Sequence, residues 1–279
     1  MIQTKVAVAT TFFPAAHPYL DDFLRSIASQ SYSAFDLVIL NDGYGPLDEL
    51  AAAHPGVSIR EVCHSETIAK NREVLLNFVK DQGYESVILA DSDDHFDKNR
   101  VELSLQLLKR FDVVVNDIAL FDDSGIYAEN YFSQRIKNGS VLDLSFIREK
   151  NIFGMSNSAF SLHLMDVLTI PDDLVAVDWY IFSRLLRDSD TKAVFTSDTQ
   201  TYYRQYRENT VGMKKLTRKS FLQGLDVKDR HYSALLNSDE SYRAIRDSNR
   251  ALMCKEVDQE YIEKLNSQIP HPLWWEAIK

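Results

Sequence analysis

The sequence predicts an α/β fold built on a mostly parallel central sheet flanked by helices, and three observations carry that prediction. Over the first 110 residues, short apolar runs rich in Val and Ile alternate with segments whose apolar residues recur at helical spacing, the pattern of strands joined by right-handed crossovers. Two of these runs end in polar groups, Asn41-Asp42-Gly43 and Asp91-Ser92-Asp93-Asp94, at the carboxyl end of a strand, where open sheets of this class bind ligands. Neither an internal repeat nor a low-complexity tract breaks the alternation, and 279 residues that are 45% hydrophobic suffice to bury one large core, or one domain with an appendage.

Taken in order, residues 6–10 read as a buried strand, followed by a loop containing Pro14 and Pro18. Leu20, Phe23, Leu24 and Ile27 then line one face of a helix. A strand is expected over 35–40, a helix over 47–53, a short strand over 57–61, a long amphipathic helix over 68–81 and a strand over 86–90. Asp94 or Asp97 is placed to cap a helix over 98–110. Residues 113–117 read as a strand, and the apolar runs on either side of Asp122-Asp123-Ser124-Gly125 predict a hairpin over 118–131. After a turn at Pro171 come a helix over 175–186 and a strand around Thr201-Tyr202-Tyr203-Arg204. From about Lys214 the pattern becomes charged and helical, with Tyr261 and Leu265 on one face, and closes on Pro270-His271-Pro272-Leu273-Trp274-Trp275.

A net charge of −10 and a pI near 5.2 argue against a general nucleic-acid binder, which would carry a basic stripe. An anionic ligand would have to be met locally, by a metal, a few Arg or Lys side chains, or helix N-termini. Cys63 and Cys254 form no C-x-x-C pair and read as reduced thiols of a cytoplasmic protein. Neither a signal peptide nor a membrane-spanning run is expected.

The acidic run at 91–94 is the sharpest chemical signal. Carboxylates crowded on one turn repel one another unless a cation sits between them, and hard divalent ions such as Mg²⁺ or Mn²⁺ take oxygen ligands of this kind. Helix capping would need only one of them. The run therefore suggests a site for a metal and a diphosphate.

Five segments, in order, resemble the family 2 glycosyltransferases of GT-A fold: residues 6–11, 24–30, 36–43, 68–72 (Ile-Ala-Lys-Asn-Arg) and 91–94. The likeness returns in 154–159, Val177-Asp178-Trp179 and Tyr203-Arg204-Gln205, and spans roughly residues 5–210. It implies a glycosyltransferase domain over 1–213, with a nucleotide-binding half (1–115) and an acceptor and sugar half (116–213), followed by a helical extension over 214–279. Thr11 and Asp42 would hold the base of a nucleotide, UDP or dTDP. Lys70 and Arg72 would face that nucleotide. Asp91, Ser92 and Asp93 would form the D-x-D element, Asp93 on the metal and Asp91 on the ribose or a metal-bound water. Asp178 would be the base of an inverting transfer, Gly154, Ser156 and Asn157 the loop beneath the sugar, and Trp179 and Arg204 further parts of that pocket.

Several of these residues have plainer readings: a turn for Asp42-Gly43, a solvated helix face for Lys70 and Arg72, an N-cap for Asp178 and a core position for Trp179. The chain also departs from the family pattern in Asn41, in Phe12-Phe13-Pro14, and in Tyr206, where relatives often carry a His that contacts metal or diphosphate. The implied activity is metal-dependent inverting transfer of a sugar to a saccharide or lipid-linked acceptor, in bacterial surface-glycan assembly. Two alternatives stand beside it. One is a sugar nucleotidyltransferase, disfavoured because residues 10–17 hold no Gly-rich phosphate cradle; the other is a nucleotide-sugar binding module without turnover. The extension would serve the acceptor side, a homo-oligomer contact or the inner membrane surface; the equal alternative is that its tryptophans clamp it to the main domain.

Overall fold

The computed structural model describes residues 5–206 and 215–279. Ten strands form one sheet: β1 (Val6–Phe12), β2 (Asp36–Asn41), β3 (Ser58–Cys63), β4 (Ser86–Leu89), β5 (His95–Phe96), β6 (Val113–Asp122), β7 (Gly125–Ala128), β8 (Val141–Leu142), β9 (Ser158–Ser161) and β10 (Ala193–Arg204). Their order is β3-β2-β1-β4-β9-β6-β10-β5, with β7 paired to β6 and β8 to β10. Eight α-helices accompany them among the described residues: α1 (Leu20–Ala28), α2 (Asp48–Ala53), α3 (Ile68–Asp81), α4 (Arg100–Leu108), α5 (Val177–Leu185), α6 (Arg218–Leu236), α7 (Arg243–Met253) and α8 (Gln259–Gln268).

The parallel part of the sheet is β3-β2-β1-β4. Beyond β4 the sheet is mixed, because β9 enters antiparallel to both β4 and β6. The strands β1 and β4 are buried on both faces, so they read as continuous apolar runs without alternation. Their side chains still divide by parity. Ala7, Ala9, Val87 and Leu89 face the core that α3 closes with Leu75, Leu76 and Val79. Val6, Val8, Ile88 and Ala90 face a second core, closed by Phe23, Leu24 and Ile27 of α1 and Val101 of α4. At the edge, β3 is largely exposed and carries Arg60 and Glu61.

Two local expectations shift. Helix α4 starts at Arg100 with Asn99 before it and no side-chain cap, so neither Asp94 nor Asp97 caps it; Asp97 instead accepts from Gln200 N and Tyr202 Oη. Strand β10 begins eight residues before Thr201, since Ala193 to Thr196 pair with β6 ahead of a bulge between Thr196 and Gln200. The expected boundary at 213 falls outside the described residues. Beyond it, α6 and α8 share a small core of Phe221, Leu225, Ile262, Leu265 and Ile278, whereas Tyr232, Leu235, Tyr242, Leu273 and Trp274 belong to the large core on the α3 side.

A buried carboxylate pins the middle of β6. Asp117, fully buried, accepts from the amides of Ile118 and Phe132 on one oxygen and of Ser133 on the other, which fastens the 131–133 turn beneath the sheet. Asp117→Ala would orphan three buried or part-buried N–H groups. We expect it to lower stability by about 3 kcal/mol or more in denaturant melts, with Asp117→Asn losing less, since an amide oxygen restores part of the acceptor set.

Candidate active site

The sheet order reverses between β1 and β4: from β1 the chain runs outward through β2 and β3, and β4 then pairs on the other side of β1. Loops leaving the carboxyl ends of strands diverge at such a point and leave a crevice. A cleft of about 390 Å³ opens there, lined by Thr11 of β1, Asp42 after β2, Asp91 and Asp93 after β4, Gly154 to Asn157 before β9, and Asp178 on α5.

The acidic turn is built by the backbone and held by three guanidinium groups. Asp94 N donates to Asp91 O at 3.2 Å, closing the turn, and Ser92 Oγ donates to Thr11 O at 2.8 Å, tying it to β1. Arg72 donates to Thr11 Oγ1 (2.9 Å) and to Asp91. Arg204 donates its backbone N–H to Asp94 Oδ1 and its Nε to Asp93 O, both at 2.8 Å, and reaches Asp22 at 3.0 Å. Arg100, only 2% exposed, lies beneath the turn with its guanidinium on Leu89 O (2.6 Å) and Asn116 Oδ1 (3.0 Å). Burial, followed by the charge of Asp91, raises Asp93; burial and then both neighbouring carboxylates hold Asp94 well above the ordinary range. Tyr206 Oη donates to Asp93 Oδ2 at 2.7 Å, so this phenol reaches the acidic turn.

Asp178 sits in the first turn of α5. It is not the N-cap, a position Ala176 occupies without a side-chain bond; Asp178 Oδ1 accepts from Trp179 N at 2.7 Å instead. Protein surrounds the carboxyl on the floor of the cleft. Loss of hydration, reinforced by Asp91, pushes its pKa up to about 7. The loop opposite is latched by Asn157, whose Oδ1 accepts from Gly154 N (2.8 Å) while Nδ2 donates to Asn116 O (2.8 Å). Ser156 accepts from Asp91 N at 3.5 Å.

Four expected residues lie off the cleft. Lys70 points away from it, paired with Glu73 (2.9 Å) and Asp172 (3.6 Å), because positions two apart on a helix face different ways and Arg72 takes the inner one. Trp179 is fully buried, stacked 3.8 Å from His231, with Nε1 donating to Ile147 O at 2.6 Å; it is a core residue and meets no sugar. Ser92 and Arg204 support the acidic turn from behind. Conversely, Asn71, Tyr203, Trp274 and Trp275 line the cleft without having been expected there. The double Trp was conspicuous in sequence, but nothing local told which surface it would meet.

The described cleft lining holds four carboxylates, Asp42, Asp91, Asp93 and Asp178, against one guanidinium, that of Arg72. Among the described residues, no three His, Cys, Asp or Glu side chains converge as a closed metal cage. A pair of adjacent carboxylates facing an open cleft nevertheless fits an ion that takes one or two protein oxygens and completes its shell with phosphate and water, as Mg²⁺ does. No helix of the described residues is long and apolar enough to cross a membrane.

No protein-family model and no curated protein matches the sequence. Solved structures do match. S. aureus TarS, residues 1–349 in complex with UDP-GlcNAc, superposes with a TM-score of 0.64 at 16% identity, over 94% of this chain and 78% of that one. The chain spans 42% of a longer TarS structure, at a TM-score of 0.59 and 17% identity over 89% of its own length. The mannosyltransferase PcManGT of Pyrobaculum calidifontis, in complex with GDP-Man and Mn²⁺, superposes with a TM-score of 0.60 at 15% identity, over 89% and 69% of the two chains. The chain thus has the GT-A-like fold of nucleotide-sugar glycosyltransferases.

Proposed function

We propose that this protein is a metal-dependent inverting glycosyltransferase, moving a sugar from a nucleoside-diphosphate sugar to an acceptor hydroxyl. The observation that carries the reading is the presence of two kinds of carboxylate in one cleft: a pair on the β4 turn suited to a hard cation, and one on α5 with a pKa near neutrality, suited to taking a proton. The neighbours bound to UDP-GlcNAc and to GDP-Man with Mn²⁺ support the donor class. A diphosphate entering a cleft whose described lining holds four carboxylates and one guanidinium is served by further positive charge. Asp93, with Asp91, would hold a divalent ion whose role is to offset the charge of the departing nucleoside diphosphate.

The remaining steps belong to the chain's own residues. Thr11 and Asp42 bind the nucleotide end, and Arg72, already positioned on Thr11 and Asp91, is the cation within reach of the phosphates. Asp178 accepts the proton of the acceptor hydroxyl as its oxygen bonds to the anomeric carbon. The bond from that carbon to the diphosphate oxygen breaks on the opposite face, and configuration inverts. We assign the donor half to residues 1–115 and the acceptor half to residues 116–213. A binding module without turnover would have no use for a carboxyl tuned to about 7 at the far end of the cleft.

A thermal-shift screen of nucleoside diphosphates and their sugars, with and without Mn²⁺, should find at least one stabilising ligand whose effect depends on the ion. Asp93→Ala should retain the melting temperature and lose about 10²-fold or more in turnover, measured as nucleoside diphosphate release. Near-wild-type release in the presence of chelator would refute metal dependence.

Asp178→Asn should lose turnover far more than donor affinity. The wild-type kcat/KM should climb as pH rises through about 7, where Asp178 becomes the ionised base, and the variant's residual rate should lack that limb. Stability runs the other way. Because the folded pKa lies above the unfolded one, the native state loses stability as pH rises from about 4 to 7, so Asp178→Asn should melt higher than wild type at pH 8 and alike at pH 4.

A further inference from the structure

Part of the cleft that holds the proposed base comes from the far end of the chain. Trp274 and Trp275 line the cleft together with Asp178, Val175, Val177 and Met155. The Trp275 ring lies nearly parallel to that of Trp179, at 7° with centroids 6.5 Å apart, which sets it beside the first turn of α5, the turn that carries Asp178 into the same cleft. Trp274 packs edge-on to Phe132 and Tyr203 and closes so tightly over Gly154 that a Cβ there would come within 3.0 Å of its ring.

Trp275 itself has a left-handed backbone, φ 66°, which a bulky side chain adopts only when its surroundings impose it. Two groups hold it there: Ile278 N donates to Trp275 O at 3.2 Å, and the buried Lys228 of α6 donates its ammonium to Trp275 O at 3.2 Å and to Ile278 O at 2.6 Å. Yet the indole held in this way is not consumed by the core: Trp275 remains partly exposed, on the wall of the cleft. An aromatic face fixed at the expense of backbone strain, beside a carboxyl that takes a hydroxyl proton, is suited to the apolar face of a sugar ring.

We infer that Trp275 is the platform of the acceptor subsite, on which an uncharged pyranose stacks so that one of its hydroxyls meets Asp178. The inference rests on the glycosyl-transfer reading and adds the chemical class of the acceptor. Two facts point to acceptor over donor and to neutral over acidic. A general base must lie within hydrogen-bond reach of the hydroxyl it deprotonates, so the ring carrying that hydroxyl belongs at Asp178 and away from the phosphate end at Arg72 and Asp93. The wall there offers Val175, Val177, Met155 and the two indoles, and among the described residues the one cationic side chain lining the cleft is Arg72, already engaged by Asp91, which leaves none to pair with a uronic or sialic acid.

The test is saturation-transfer NMR on the full chain with Mn²⁺ and UDP or GDP, using methyl glycosides of glucose, galactose, mannose and N-acetylglucosamine as probes. Diphosphate affinity is measured in parallel by calorimetry. At least one glycoside should receive saturation at its ring protons. In Trp275→Leu its affinity should fall about tenfold, and in Trp275→Phe it should stay within about threefold of wild type, both with unchanged diphosphate affinity. Diphosphate binding without any glycoside response in the wild type would overturn the platform and leave the donor reading standing; failure of both UDP and GDP to bind would overturn the donor reading and the platform with it. If Trp275→Leu weakens a nucleotide sugar but not the bare diphosphate, the ring serves the donor sugar and the inference is wrong. Equal loss of diphosphate and glycoside in both variants would reduce Trp275 to a structural clamp.

Discussion

Crowding of carboxylates on the turn after β4 is the constraint around which the rest of the site is arranged. Asp91, Asp93 and Asp94 cannot all ionise in low dielectric without compensation. The fold answers with Arg72 from α3, Arg204 from β10 and Arg100 from α4, each reaching the turn or its immediate support from a different element. Removing any one leaves buried or half-buried negative charge unbalanced. The turn therefore couples three otherwise distant parts of the chain, and the carboxylates it presents to the cleft keep a local excess of negative charge that a cation can relieve.

The described part of the C-terminal region belongs to the main body more than its sequence suggests. Its helices carry a small core of their own around Phe221 and Leu265, but Tyr232, Leu235 and Trp274 insert into the core shared with the sheet. His231 illustrates the depth of that insertion. It is fully buried against Trp179, with no partner for either ring nitrogen among the described residues, and burial holds it well below its usual pKa, hence neutral. The residue beside the proposed base is thus packed by a helix some fifty positions later in sequence.

Much of the parallel half was legible because its signals are local. Short apolar runs, ended by Asn41-Asp42-Gly43 or by the acidic run, mark β2 and β4, and helical spacing marks α1 and α3, the latter with the limits expected. The mixed half was harder to read. Strand β9 is four residues long and its direction is set by neighbours on both sides, which no local pattern encodes. Within the cleft, the acidic run pointed to Asp91 and Asp93, and the resemblance to family 2 glycosyltransferases to Thr11, Asp42, Arg72 and Asp178; all of them line it. Lys70 and Trp179 were misread for a geometric reason, since each sits one or two positions from a lining residue and a helix turns those side chains elsewhere. Arg100, as an ordinary basic residue opening an amphipathic helix, gave no sign of its burial. Only the folded chain brings it under the acidic turn.

The outer strand β3 has a bearing on how the molecule behaves in company. Its outward edge offers backbone groups that a strand from another chain could pair with, the usual route to sheet extension and aggregation. Along six residues it exposes Ser58, Arg60, Glu61 and Cys63, and Arg60 is drawn back toward Asp36 at 3.8 Å. An approaching strand would have to bring its own backbone alongside charges of both signs and strip their hydration. The sheet is in this way made to end at β3, and the same charges that leave this strand without a clear buried face keep copies of the chain from growing into a common sheet.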